Sequence, residues 1–300
     1  MSPMFEFRKV SRSFGRQVVL HDLSFVGEPG SVIALLGENG AGKTTTIRIL
    51  LGLLEPDGGT ARVFGLDTWE HGDEIRRRVG YVPDRPALYD WMTVDEIGWF
   101  AAGFYTRDFI PTYRRLVSQF GLPLQKKIGT MSKGTKAKVG LALATAHEPE
   151  LLIMDEPTSG LDPIVRKEFL ESMVDIAAQG RTVFLSSHQI SEVERVADVI
   201  AIIKHGKLEV WEPLEELKER TRILTVTALN GATVLPVLPG TVIQTIQQER
   251  QWQLMLRDIS EEKLAALRAN EHFGGIEVRQ PTLEEIYVGY MQSDASPVTK

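Results

Sequence analysis

Short apolar runs alternate with amphipathic stretches through the first two-thirds of the chain. Residues 31–36 (SVIALL) read as a buried strand and 43–53 as a helix. Residues 151–154 form a second buried run, followed by an amphipathic stretch over 163–178, and further strand-length apolar runs occupy 182–185 and 199–203. Strands separated by helices predict a parallel sheet covered on both faces, an α/β core. From about Met92 to Thr145 the strand pattern stops. Residues 94–104, 112–120 and 132–146 carry helical spacing, which predicts a helical subdomain at about 92–145 inserted into that core. A polar helix follows Pro213 as far as about Arg220. The pattern then turns to short strands, with a helix at 260–268, a strand at 276–279 and a final helix at 282–290. The pattern thus divides the chain into an α/β domain over 1–220, a small α+β domain over 221–292 and a disordered tail over 293–300.

Composition narrows the function. The longest charge-free stretch lies between Arg222 and Glu249 and has the length to cross a bilayer. Asn230, Gly231, Pro236, Pro239 and Gly240 interrupt it, so short strands are the better reading and any membrane part must come from a partner. The N-terminal MSPMFEFRKV lacks the apolar core of a signal peptide. With 34 basic and 40 acidic residues the formal net charge is −6, which disfavours sequence-independent nucleic-acid binding. Cysteine is absent from the sequence, which excludes disulfides and thiolate chemistry. The Arg76-Arg77-Arg78 run, with His71 and Asp73, reads as a solvated helix face.

The candidate chemistry begins with Gly37-Glu38-Asn39-Gly40-Ala41-Gly42-Lys43-Thr44-Thr45, a glycine, four residues, then Gly-Lys-Thr. Glycines let the backbone wrap a phosphate with its N–H groups inward, and the following helix adds its positive end. Lys43 can reach β- and γ-phosphates, and Thr44 can ligate Mg²⁺. The strand before and the helix after supply the required context. Leu151–Met154 leads directly into Asp155 and Glu156. An Asp at a strand tip beside such a loop can hold the Mg²⁺ shell, and the adjacent Glu can polarise an attacking water.

Met131-Ser132-Lys133-Gly134-Thr135-Lys136 opens a helix between these two sites, and Ser159-Gly160-Leu161-Asp162 and His188 follow them. In this order the motifs resemble the nucleotide-binding subunit of an ABC transporter over about residues 4–220. The resemblance implies a P-loop ABC-ATPase core with an inserted helical subdomain, hydrolysis of ATP with Mg²⁺, and a head-to-tail pair of ATPase subunits on a transmembrane permease. It implies a cytoplasmic protein held peripherally on the inner face of the cell membrane. Ser132, Lys133, Gly134 and Thr135 correspond to the signature that meets the γ-phosphate of the opposite subunit. Without the family, Ser132 is an N-cap. Ser159, Gly160, Leu161 and Asp162 resemble the dimer-contact loop, and Asp162 also suits a cap before Pro163. His188 resembles the switch histidine that senses the γ-phosphate, the alternative being a histidine satisfying a strand end. Phe14 resembles the aromatic residue that stacks on adenine, or is a core residue of an early strand.

Several positions depart from the family pattern. Asp84 stands where the family has Gln. It can approach Mg²⁺ through water or serve the next turn. Lys133 and Thr135 replace the common Gly and Gln. Pro281-Thr282-Leu283-Glu284-Glu285-Ile286-Tyr287 resembles the ending of ATPase subunits of the exporter-associated ABC-2 group. Trp91, Trp99, Phe100, Phe104 and Tyr105 in the helical insertion are either partner anchors or core. A soluble ABC ATPase acting on ribosomes or DNA is the alternative. It is disfavoured by the single P-loop, the acidic charge and the absence of a heptad run between Lys43 and Asp155. A P-loop kinase is disfavoured by the signature segment with Glu156 and His188.

Overall fold

The computed structural model describes residues 2–105, 108–228, 240–248, 251–268 and 273–293. The chain divides into two compact units, Met1–Trp211 and Glu212–Lys300. In the first, the elements in chain order are β1 (Phe5–Phe14), β2 (Gln17–Gly27), β3 (Val32–Leu36), α1 (Lys43–Leu50), β4 (Gly58–Val63), β5 (Leu66–Asp67), α2 (Gly72–Arg78) and β6 (Val79–Val82). There follow α3 (Val94–Ala102), α4 (Phe109–Gln119), α5 (Lys133–Thr145), β7 (Leu151–Asp155), α6 (Pro163–Ala178), β8 (Thr182–Ser187), α7 (Ile190–Val193), β9 (Val199–Lys204) and β10 (Lys207–Pro213).

The central sheet has six strands in the order β10-β9-β3-β8-β7-β6. β3 runs parallel to β8 and β9, and β7 parallel to β6 and β8. Every residue of β3, β7 and β8 is buried, which explains their continuous apolar runs: a strand covered on both faces has no polar side to alternate with. A second, antiparallel sheet, β2-β1-β4-β5, was not part of the expected pattern. Its Phe5, Phe7, Leu20, Leu23 and Phe25 share one core with Ile47 of α1 and with Ile33, Leu35, Ile153 and Phe184 of the central sheet.

The helical insertion has a core of its own, built from Val94, Ile97, Phe109, Tyr113, Val117, Ile128 and Val139. Thr93 and Glu96 form a reciprocal capping box that starts α3. α4 begins at Phe109 rather than at 112, because Pro111 falls in the first helical turn, where a missing N–H breaks no bond. Gly98 allows α3 and α4 to touch: a Cβ there would lie 2.2 Å from Tyr113 Cε1. The Tyr113 hydroxyl donates to the Val94 carbonyl at 2.7 Å. α2 is not a simple solvated face. Arg76 donates to the carbonyls of Leu51 and Gly52 (3.0 and 3.1 Å). Arg78 lies 3.8 Å over the Phe64 ring and pairs with Glu150 at 2.8 Å.

The second unit starts ahead of α8 (Leu214–Arg220), whereas the hydrophobic pattern places the boundary after residue 220. Charged contacts that composition cannot reveal tie this segment in: Arg220 forks onto Asp258 (2.7 and 3.0 Å), and Arg257 donates to Glu212 at 2.6 Å. The unit continues with β11 (Thr221–Ala228), β12 (Thr241–Gln248), β13 (Gln251–Arg257), α9 (Glu261–Arg268), β14 (Phe273–Arg279) and α10 (Leu283–Gln292). Its sheet is antiparallel in the order β12-β13-β11-β14. All but the first residue of the expected tail, residues 294–300, lies outside the described residues. Among the described residues no helix is long and apolar enough to cross a membrane.

Candidate active site

The C-terminal ends of the parallel strands carry the candidate chemistry, as expected for an open α/β sheet. β3 ends at Leu36 and leads into Gly37–Thr45. A Cβ at Gly37 would come within 2.7 Å of Ile203, and one at Gly42 within 2.5 Å of Leu20. Gly40 and Gly42 have φ of +83° and +110°, open to glycine at little cost. Glu38, Asn39 and Gly40 are exposed, while Ala41 and Gly42 are buried beneath them. α1 begins at Lys43 with no side-chain cap, so the amides of its first turn are free to meet an anion. Lys43 is buried. Its ammonium donates to the Gly37 and Glu38 carbonyls at 2.7 and 3.3 Å and lies 3.3 Å from Glu156 Oε1.

The strand order explains the next layer. β8 lies between β3 and β7, and the register sets Ser186 beside Asp155. Thr44 Oγ1 donates to Asp155 Oδ2 at 2.9 Å, and Ser186 Oγ donates to Asp155 Oδ1 at 2.6 Å. A hydroxyl already aimed at a carboxylate is a hard-oxygen donor set, and it fits Mg²⁺. Ser186 is absent from the residues expected from sequence. Its one signal is a polar Ser186-Ser187 pair ending an apolar strand just before His188.

Glu156 leaves the strand with φ +50°, a left-handed conformation that costs a non-glycine residue about 1 kcal/mol. That turn aims the carboxylate at two partners: Lys43 meets Oε1, and Oε2 lies 2.6 Å from His188 Nδ1 and accepts the His188 backbone N–H at 3.2 Å. Lys43, Thr44, Asp155, Glu156 and His188 are therefore one connected group. Asp84 stands two residues past β6 at the same sheet end, 3.8 Å from Arg85 and outside the Thr44–Asp155 hydrogen bond. Burial chiefly, and then the Asp155 and Asp84 carboxylates, push the intervening Tyr81 hydroxyl up from its ordinary pKa.

Ser132 caps α5: its Oγ accepts the Thr135 N–H at 3.2 Å and lies 2.8 Å from the Thr135 hydroxyl. Lys133 is exposed, and its ammonium lies over Gly160, 2.8 Å from where a Cβ would sit. Gly134 packs on Val165, which would be 2.9 Å from a Cβ. Asp162 caps α6 through the Ile164 and Val165 amides (3.2 and 3.1 Å), with Pro163 at the first helical position. Leu161 is buried and Gly160 has φ +65°. Ser159–Asp162 and the start of α5 thus touch each other, on a different stretch of chain from Lys43 and Thr44. Phe14 ends β1 and is 47% exposed, which removes the core alternative.

In the helical insertion Trp91, Trp99, Phe100 and Phe104 are exposed, and Tyr89 joins them. Tyr89 meets Phe100 edge-on at 5.4 Å, and Phe100 meets Phe104 at 5.7 Å. Tyr105 belongs instead to the interior, stacked on Phe109 at 4.9 Å and His147 at 4.4 Å.

Comparison with known proteins agrees with this geometry. The family model described as ABC transporter matches residues 20–159. The bacitracin transport ATP-binding protein BcrA of Bacillus licheniformis is 38% identical over 228 residues, 74% of each chain. The Nod factor export ATP-binding protein I of Paraburkholderia xenovorans is 38% identical over 213 residues, 67% of this chain and 68% of that protein. A solved structure of the ATP-binding subunit of an ABC transporter is 33% identical, with a TM-score of 0.67, and matches 72% of this chain and 92% of its own.

Proposed function

We propose, for a chain that belongs to the ATP-binding subunits of ABC transporters, that it hydrolyses ATP to ADP and phosphate and so powers a separate membrane-spanning permease, as an exporter. The observation that carries this reading is the convergence of Lys43, Thr44, Asp155, Glu156 and His188 at one end of the parallel sheet. The uncapped amides of the Gly37–Thr45 loop and Lys43 hold the phosphates. Thr44 and Asp155 would hold Mg²⁺, and Asp84, at the same sheet end, would add a further carboxylate near it. Bound there, Mg²⁺ neutralises charge on the β- and γ-phosphates. Glu156 orients the attacking water and accepts its proton, while His188 steadies both Glu156 and the γ-phosphate. Phe14 stacks on the base. Most of the rate comes from positioning and electrostatic stabilisation.

By their resemblance to the family signature, Ser132, Lys133, Gly134 and Thr135 serve the nucleotide of a second subunit, with Ser159–Asp162, which they touch, at the contact between subunits. The exposed aromatic residues of the helical insertion dock the permease. Beside them runs a groove of about 320 Å³ between the insertion and the sheet, lined by Leu53, Arg76, Tyr81, Pro86, Leu88 and Tyr105.

Light scattering on Glu156→Gln tests the central claim. With MgATP the variant is expected to shift from monomer to dimer, because binding survives while hydrolysis stalls. A monomer that still binds ATP would overturn the two-subunit site.

A further inference from the structure

The β1–β2 hairpin carries a structured pair of side chains next to the phosphate loop. Arg12 and Phe14 stand two residues apart near the end of β1, so they share one face of the strand. The Arg12 guanidinium lies 5.1 Å from the centre of the Phe14 ring. It is braced from behind. Arg12 Nη1 donates to the Glu55 carbonyl at 2.9 Å and to Asp57 Oδ1 at 2.6 Å. Asp57 Oδ2 in turn accepts the Ser13 backbone N–H at 2.6 Å, which locks the brace to the same strand. The Arg12 side chain is only 23% exposed. The cation is therefore committed to this position, and Phe14, 47% exposed, keeps open ring surface beside it.

The hairpin also fixes where that ring surface lies. Arg12 pairs with Leu20 and Ser13 with Val18, so Val19 is an extra residue on β2. Leu20 and the Val19 carbonyl are the groups that press on Gly42 of the phosphate loop, 2.5 and 3.1 Å from where its Cβ would be. Phe14 is two residues further along β1, roughly 7 Å at the rise of a strand. A ribose spans such a gap between a phosphate and a base.

We propose that Arg12, braced by Asp57, is a positioning residue for the nucleotide base: it holds the Phe14 ring so that a base stacks on the open surface. This rests on the reading of Phe14 as the base-stacking residue. Arg12 acts through Phe14 and touches no phosphate. A cation over an aromatic ring at a partly exposed site contributes enough to change binding about two- to fivefold.

The test measures binding of MgATP, and of magnesium tripolyphosphate, which has no base, by competition against a ribose-labelled fluorescent ATP on the full chain. Arg12→Ala is expected to weaken MgATP about threefold and leave tripolyphosphate unchanged. Arg12→Lys, which keeps a cation but loses the planar guanidinium, and Asp57→Asn, which loosens the brace, are expected to lie between. Phe14→Ala is expected to cost MgATP about tenfold. Adding Arg12→Ala to Phe14→Ala is expected to cost nothing more, the mark of action through the ring. Loss with Phe14→Ala but not with Arg12→Ala overturns the role of Arg12 alone. No loss with Phe14→Ala overturns the base-stacking reading beneath it. Equal weakening of MgATP and tripolyphosphate by Arg12→Ala, or an undiminished effect in the Phe14→Ala background, also overturns the proposal.

Discussion

Asp155 accepts hydrogen bonds from two hydroxyls, and removing each has a different consequence. Ser186 is fully buried; its Oγ donates to Asp155 Oδ1 at 2.6 Å and accepts the Glu156 N–H at 3.0 Å. Thr44 donates to Oδ2 at 2.9 Å from an exposed position. A hydrogen bond to a charged group contributes about 1.5–3 kcal/mol. Ser186→Ala removes one and leaves a buried carboxylate oxygen facing a methyl group, whereas the Glu156 N–H keeps the Ser186 carbonyl at 3.2 Å. The expected loss is about 2 kcal/mol. In a unit of this size each kcal/mol moves Tm by about 2–4 °C, so the first unit should melt about 4–8 °C lower. Water replaces the hydroxyl in Thr44→Ala, and the expected loss is about 0.5 kcal/mol or less. Hydrolysis should rank the other way. If Thr44 holds Mg²⁺ as proposed, Thr44→Ala is expected to lose nearly all activity. Ser186→Ala keeps activity at a raised Mg²⁺ requirement. Scanning calorimetry and Mg²⁺-titrated phosphate release measure both. A Ser186→Ala melt within about 1 °C of wild type would refute the energetic argument. Equal thermal losses in the two variants would refute burial as the deciding factor.

Three further outcomes are expected. Gly98→Ala drives a Cβ to 2.2 Å from Tyr113 and should destabilise the first unit by about 1–3 kcal/mol, measured by thermal unfolding; an unchanged Tm would mean that α3 and α4 can part freely. The Glu285 carboxyl is held down to about 2, first by the Arg279 guanidinium and also by the Thr282 amide. Because the folded value lies below the ordinary 4.5, this stabilisation is complete above about pH 4.5 and disappears as pH falls toward 2. Over that window the second unit's stability, followed by far-ultraviolet ellipticity in urea, should fall less steeply in Glu285→Gln; parallel slopes would remove Glu285 from the acid response. Trp91→Ala with Phe104→Ala removes two exposed rings. It should leave Tm nearly unchanged while abolishing co-purification with the permease, and retained co-purification would move the docking surface elsewhere.

How much of this was legible in the sequence follows the physics of each element. β3, β7, β8 and β9 could be read because burial on both faces writes continuous apolar runs. β1 could not, although it pairs along most of its length. Its register with β2 shifts three times, and the extra β1 residue between Phe7 and Val10 breaks the strand's own two-residue alternation. The site divides in the same way. The Gly37–Thr45 loop is local in sequence and carries its own signature. Ser186 acquires its role only from the pairing of β7 with β8, which no local pattern specifies. Glu156 and His188 were legible as residues, but their contact depends on the left-handed turn at Glu156.

Long-range packing also acts at the start of α5. The Lys133 side chain is exposed and its ammonium lies over Gly160, where the backbone at φ +65° favours glycine. Gly134 has its own constraint in Val165 on α6. The start of α5 and the loop before α6 therefore form one packed piece.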